Sequence, residues 1–225
     1  MSQPRVSVVI PVHNGARYLA AAIDSALGQR PFEIVVADDG SSDASLELAR
    51  SYGSPVRALL HTERTGIAAT RNRGLAASGG DYIAFLDADD LWTDGAHAGQ
   101  LAAFEADPGL ELVFGHVEQF ISPDLDEASA SRLRFAGSRQ PGYLLGAALI
   151  RRDTLTRVGP FREDLVTGDF IDWMTRARDL QVRETLISEH VLWRRIHASN
   201  HGRRHAAARG DYARVLKAAL DRRRR

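Results

Sequence analysis

The first hundred residues alternate short, almost unbroken apolar runs with stretches of helical period. VSVVI (Val6–Ile10) precedes ARYLAAAIDSAL, EIVVA (Glu33–Ala37) precedes ASLELARSY, VRALLH (Val56–His61) precedes GIAATRNRGLAAS, and YIAFL (Tyr82–Leu86) precedes a helical stretch from His97 to Glu105. Apolar strands separated by amphipathic helices specify a parallel sheet covered on both faces, an α/β, Rossmann-like, doubly wound arrangement. Ligands of such sheets sit outside the carboxyl ends of the strands. The segments to search for chemistry are therefore those that follow each run: PVHNG, DDGSSD, TERTG and DADD. The chain has 225 residues, no internal repeat and no hinge-like linker, so one core is expected.

From Leu110 the pattern changes. ELVFGHVEQFI reads as a strand or bent strand pair, and the segment from Ser122 to Gly142 as a long polar connection, either an acceptor-binding lid or a plain surface loop. GYLLGAALIRRDTLTRVGPF then gives a strand and a short helix, DFIDWMTRARDL a helix, VRETLIS and HVLWRRIH two strands, and a terminal helix starts at about Arg204. The 29 basic and 29 acidic side chains cancel, which argues against nucleic acid as a partner. Without cysteine there is neither a disulfide framework nor a thiolate zinc site, as fits a reducing cytoplasm. The run Val6–Val12 is broken by Ser7 and Pro11 and lacks a signal-peptide layout, and nothing approaches the roughly 20 apolar residues of a membrane span. A soluble, cytoplasmic protein is expected. Between His201 and Arg225 nine Arg or Lys face two Asp, which reads as a solvated tail or a weak peripheral contact with an anionic membrane.

The strongest local signal is DADD, with three carboxylates in four residues behind an apolar run. Like charges this close need a compensating partner. Hard oxygen ligands with no cysteine or histidine beside them suit Mg2+ or Mn2+ bridging substrate phosphates. In an extended segment Asp87 and Asp89 would share one side while Asp90 points away or starts a turn. EIVVADDGSSD sets Asp38 and Asp39 at the sheet edge, suited to a base N–H or ribose hydroxyls, with a solvated turn as the plainer alternative; Asp43 reads as a helix cap. In PVHNG the backbone of Pro11, Val12, His13 and Asn14 offers a surface for a flat base. Arg71 and Arg73 carry the fork geometry that suits diphosphate, although exposed helix arginines are more often solvated.

PVHNG, DDGSSD, the Arg71 tract and DADD, in this order and at these spacings, resemble the inverting family 2 glycosyltransferases of the GT-A fold. The resemblance implies a single GT-A domain: a nucleotide-sugar half over 1–109, an acceptor and catalytic half over 110–203, and a C-terminal helix and basic tail over 204–225. It implies a nucleotide-diphosphate sugar donor, usually a UDP-sugar, and a Mn2+ or Mg2+ ion. Pro11, Val12, His13, Asn14, Asp38 and Asp39 would lie by the base, Arg71 by the base or diphosphate, and Asp87, Ala88 and Asp89 by the ribose and metal. Gly146 would lie near the donor sugar. His197 would approach the metal or diphosphate, and Arg194, Arg195, Arg203 and Arg204 would neutralise the leaving group. Where the family has a Glu-Asp pair, the matching stretch is TGDFIDW, with Gly168 in place of Glu; Asp169 is then the base, and Asp172, one helical turn on, its rival. Trp92 either walls the sugar pocket or packs.

Two other readings stand beside this one. A sugar nucleotidyltransferase would carry a glycine-rich basic loop after its first strand, and PVHNG is no such loop. A non-catalytic nucleotide-sugar-binding module is motivated by Gly168. The acceptor, be it saccharide, lipid-linked, small molecule or peptide, is not encoded legibly, and nor are the donor sugar and oligomeric state. No membrane spans or polymer-extension motif accompany the match, so single rather than processive transfer is expected.

Overall fold

A computed structural model of the protein describes residues 4–125, 138–197 and 210–223. The first half forms β1 (Val6–Val12), α1 (Ala16–Leu27), β2 (Glu33–Asp39), α2 (Ser45–Ser51), β3 (Val56–His61), α3 (Ile67–Ala77), β4 (Tyr82–Phe85), β5 (Leu91–Trp92) and α4 (Ala96–Ala106). The second half forms β6 (Leu112–Ile121), β7 (Gln140–Pro141), β8 (Ala148–Arg151), α5 (Arg152–Val158), α6 (Asp169–Asp179), β9 (Glu184–Ile196) and α7 (Gly210–Arg223). Along one sheet the order is β3-β2-β1-β4-β8-β6-β9-β5, with β7 beside β6.

Strands β1 to β4 are mutually parallel, and Val8 lies opposite Ile34 on one side and Ala84 on the other. Successive side chains of β1 point to opposite faces. Val8 and Ile10 join Leu19 and Ile23 of α1, Ala49 of α2 and Phe104 of α4. Val9 joins Ala68 of α3, Leu155 of α5 and Trp173 of α6 on the other face. In α1 the buried Leu19, Ala22, Ile23 and Ala26 follow the helical period and form one stripe. Helix α3 has no comparable stripe. It lies so close to the sheet that a Cβ on Gly74 would sit 2.3 Å from a Val9 methyl.

Topology gathers the expected site at one edge. β8 is antiparallel to β4 and to β6, while β9 is parallel to β6. The carboxyl ends of β6 and β9 therefore point the same way as those of β1, β2 and β4, delivering His197 to the edge that carries PVHNG, DDGSSD and DADD. Gly146, just ahead of β8, lies at that edge too.

Two sequence expectations are corrected, and of the two places left open for Trp92 the packed one holds. VRETLIS and HVLWRRIH form one strand, β9, whose pairing with β6 is kept across an irregularity at His116. DADD is not extended. The strand stops at Phe85, and the Asp90 N–H donates to the Asp87 carbonyl at 3.0 Å, which makes a turn. Trp92 is a core residue, 5% exposed, whose indole N–H donates to the Gly146 carbonyl at 2.7 Å. Arg203 and Arg204, and the part of the polar connection over 126–137, lie outside the described residues.

Candidate active site

The loops after β1 and β2 hold each other. Asn14, at φ 52°, accepts with its side-chain oxygen from the Ser42 N–H (2.8 Å) and the Asp43 N–H (3.3 Å), and its own N–H donates to Ser41 Oγ (2.9 Å). His13 Nδ1 lies 2.9 Å from the Asp39 carbonyl. Asp43 accepts from Ser45 at the start of α2 and from the Ala16 N–H at the start of α1, so it ties two helix N-termini. Burial raises its pKa, and those bonds outweigh burial and hold it low. Pro11 and Val12 are buried at the end of β1, and a Cβ on Gly15 would be 3.6 Å from Ala88, which brings this corner against DADD.

Asp38 and Asp39 have different fates. Asp38 accepts from the Ser41 N–H at 2.8 Å and keeps its second oxygen buried without a partner. Asp39 receives donors from the Thr65 N–H (2.8 Å), Thr65 Oγ1 (2.9 Å), the Gly66 N–H (2.9 Å) and Arg73 Nη2 (3.1 Å). Burial raises its pKa, but the bonds from Thr65 and Gly66 outweigh burial and leave it low. Three of these donors converge on Oδ1, while Oδ2 accepts the Gly66 N–H. Asp39 thereby anchors the β3–α3 loop through both of its oxygens.

The centre of the site is a run of three residues on α3. Arg71, 8% exposed, donates from Nη1 to Asp169 Oδ2 at 2.7 Å and from Nη2 to Asp87 Oδ1 at 2.8 Å. Asn72 brackets Phe161, donating to its carbonyl and accepting from its N–H, both at 2.9 Å. Arg73 reaches Asp39. Desolvation alone would lower the Arg71 pKa; Asp169 and Asp87 outweigh it and hold the group firmly protonated. The guanidinium joins a carboxylate of the first half to one of the second. Its Nε is buried without a partner. Sequence reasoning took Arg71 as an outward ligand of base or diphosphate and passed over Asn72; the available signal was three consecutive polar residues in a helix whose small neighbours, Ala68, Ala69, Thr70 and Gly74, are buried.

The three carboxylates of DADD diverge. Asp87 is half-exposed and turns one oxygen to Arg71. Asp89 lies 2.8 Å from His197 Nε2. Asp90 is buried and accepts from the Arg195 N–H at 2.7 Å; burial, then repulsion by Asp89 and Asp87, pushes its carboxyl well above the usual range. Arg195 Nε donates to the Asp89 carbonyl, and its guanidinium lies over the rings of Tyr18 and Phe120, so it fastens the turn to β9. Arg194 is half-buried and close enough to lower the Asp90 pKa in part. Among the described residues no three His, Asp or Glu side chains converge into a metal cage. The expected metal set Asp87, Asp89 and His197 is thus one contacting pair, Asp89 with His197, plus Asp87 held toward Arg71.

The two candidate bases separate cleanly. Asp169 is the first residue of α6, 6% exposed, with Oδ2 on Arg71. Asp172 has no exposed surface; Arg176 Nε donates to its Oδ2 at 2.9 Å and Arg162 Nη1 lies 3.6 Å from Oδ1. Gly168, ahead of Asp169, is left-handed at φ 80°.

Residues 7–162 match the family described as "Glycosyl transferase family 2". Glycosyltransferase AglE of Haloferax volcanii is 29% identical over 194 residues, covering 78% of this chain and 62% of the relative. Putative glycosyltransferase EpsH of Bacillus subtilis is 31% identical over 124 residues, covering 53% of this chain and 36% of the relative. Among solved structures, S. aureus TarS 1-349 in complex with UDP-GlcNAc superposes with a TM-score of 0.67 at 20% identity, covering 88% of this chain and 60% of that one. Mannosyltransferase PcManGT from Pyrobaculum calidifontis, in complex with GDP-Man and Mn2+, gives 0.64 at 22%, covering 89% and 59%. The chain thus spans less than two thirds of the length of these proteins, and the structural likeness establishes the GT-A fold.

Proposed function

Because the chain belongs to glycosyl transferase family 2, we propose that it transfers a single sugar, with inversion, from a nucleotide-diphosphate sugar to an acceptor hydroxyl. The observation that carries this reading is the Arg71 bridge, which holds Asp87 of the DADD turn and Asp169 at a helix N-terminus within one guanidinium of each other. Asp169 is the base in this reading, since Asp172 is sealed between Arg176 and Arg162. It takes the acceptor proton as the acceptor oxygen forms its bond to the anomeric carbon. The bond from that carbon to the diphosphate breaks, and its electron pair leaves with the nucleotide. Arg71 orients Asp169 and keeps it facing a fixed cation.

The oxygen donors of Asp87 and Asp89, with His197 beside Asp89, fit Mn2+ or Mg2+ held by few protein groups and completed by substrate phosphate. Such an ion, when bound, supplies positive charge against the departing diphosphate. Asp38, with a buried unpartnered oxygen, and the His13–Asn14 corner form the nucleoside side. TarS in its complex carries UDP-GlcNAc and PcManGT carries GDP-Man, so UDP is the first donor class to test and GDP the second. No described helix is long and apolar enough to cross a membrane, and the basic C-terminal stretch is the element proposed for a weak peripheral contact with anionic lipid.

Calorimetric titration of UDP and of GDP, with Mn2+ and then with EDTA, tests the donor site. Metal-dependent binding of one nucleotide that is lost in Asp89→Ala is expected. A folded protein that binds neither nucleotide with metal would end the UDP and GDP donor readings and move the test to the other nucleotide diphosphates.

A further inference from the structure

Gly168, the residue before the proposed base, packs against helix α7. Gly168 is held at φ 80°, a conformation that side chains other than glycine rarely adopt. A Cβ built there would meet the ring of Tyr212 at 3.3 Å and 3.4 Å and a Val215 methyl at 3.9 Å. Both belong to α7, which contributes Val215 and Ala219 to buried surface. The helix is fastened where it starts. Asp211, 8% exposed, accepts with Oδ2 from the Val166 N–H at 2.8 Å and the Thr167 N–H at 3.2 Å. Arg214 donates to the Asp164 carbonyl at 3.1 Å and to Asp211 itself at 3.1 Å. Farther along, Arg222 reaches Asp179 at 2.8 Å and Thr175 at 2.9 Å on α6. Burial would raise the Asp211 carboxyl, and the N–H donors of Thr167 and Val166 outweigh it and hold it low, so it is ionised at neutral pH.

The segment over 159–168 that leads into Asp169 is therefore gripped from two sides. Asn72 of α3 holds Phe161 from the sheet side, and Asp211 of α7 holds Val166 and Thr167 from the other. We infer that Asp211 is a positioning residue for the reaction: it fixes the backbone turn at Val166–Gly168 that delivers Asp169 to Arg71. On this account Gly168 is the space requirement of α7 rather than a sign of lost activity. The backbone N–H groups need only an acceptor in the right place, so an amide oxygen can replace the carboxylate in part, and a methyl group cannot.

The inference rests on the reading of Asp169 as the base, and two readouts keep the two apart. The first is backbone amide hydrogen exchange in the full chain. Asp211→Ala is expected to speed exchange at residues 166–169 at least tenfold while the strands β1 and β4 keep wild-type protection, and Asp211→Asn is expected to stay within threefold of wild type. The second is steady-state transfer with the nucleotide sugar that the titration identifies. Asp211→Ala is expected to lower kcat at least tenfold with nucleotide affinity within twofold of wild type, and Asp211→Asn to recover most of it. Unchanged exchange at 166–169 in Asp211→Ala overturns the inference. So does an unchanged kcat, or a fall in kcat matched by an equal fall in nucleotide affinity, or an Asn variant as impaired as Ala. Wild-type protein that binds donor but transfers nothing to any acceptor removes the base assignment, and with it the catalytic part of this inference, even where exchange responds as expected.

Discussion

Replacing Arg71 by methionine keeps most of the apolar stem and deletes the cation that two carboxylates share. Asp169 is the serious loss, because its side chain is 9% exposed and that of Arg71 10%. Removing one partner of a buried ion pair costs about 3–5 kcal/mol, since the other charge is left uncompensated. The Asp87 side chain is 48% exposed, so water takes over there and the loss is about 0–1 kcal/mol. Arg71→Met should therefore lower the unfolding free energy by about 3–5 kcal/mol, or roughly 10 °C in Tm for a chain of this size. Adding Asp169→Asn to the same chain removes the stranded charge and should return at least about 1 kcal/mol, a coupling of the size expected for groups in contact. Urea unfolding of wild type, both single variants and the double variant at neutral pH measures the cycle. An Arg71→Met protein within about 1 kcal/mol of wild type, or additive behaviour of the pair, would refute the claim that Arg71 holds the two halves of the site together.

Two further outcomes follow from packing and burial. His97 is 3% exposed against Trp92, with Nδ1 unpartnered, and burial lowers its pKa from 6.5 to about 4. Between those values the unfolded chain binds a proton that the folded chain does not, so stability falls as pH drops from 6.5 towards 4, by about 3 kcal/mol in all. Denaturant curves of His97→Gln over the same window should lack that slope; an unchanged slope would assign it to other groups. Gly74→Ala gains helix propensity of about 1 kcal/mol but drives a methyl into Val9, where overpacking costs about 1–3 kcal/mol. A net loss in Tm is expected, together with weaker Arg71 contacts as α3 is pushed off the sheet, and a gain in Tm would contradict the close approach of α3 to β1.

The parallel half of the sheet was legible because its signals are local. The unbroken apolar run of β1, buried at every position, and the helical stripe of α1 can be read from a few neighbouring residues, and the strand-to-loop junctions mark the carboxyl edge of the sheet without tertiary information. What escaped depends on partners distant in sequence. Asp90 looks like one more surface carboxylate until β9 brings the Arg195 N–H to it. Strand β9 looks like two strands because Ser188, Glu189 and His190 interrupt its apolar run, and only pairing with β6 shows its continuity. The two residues of β5 are too short to leave a pattern. Arg71 reads as a ligand of base or diphosphate because the partners that hold it, Asp87 and Asp169, are 16 and 98 residues away in the chain. The choice between Asp169 and Asp172 had one usable clue: Arg176, four residues after Asp172, is the spacing of a helical ion pair.

The most direct test of the account is the comparison of wild type with Asp169→Asn in two assays on the same preparation, nucleotide affinity with Mn2+ by calorimetry and sugar transfer under single-turnover conditions. The amide keeps an acceptor for Arg71 and loses basicity, so the account predicts nucleotide affinity within about threefold of wild type and transfer slowed by at least about 100-fold, the scale of a lost general base. Transfer by Asp169→Asn at the wild-type rate would contradict the assignment of Asp169 as the base.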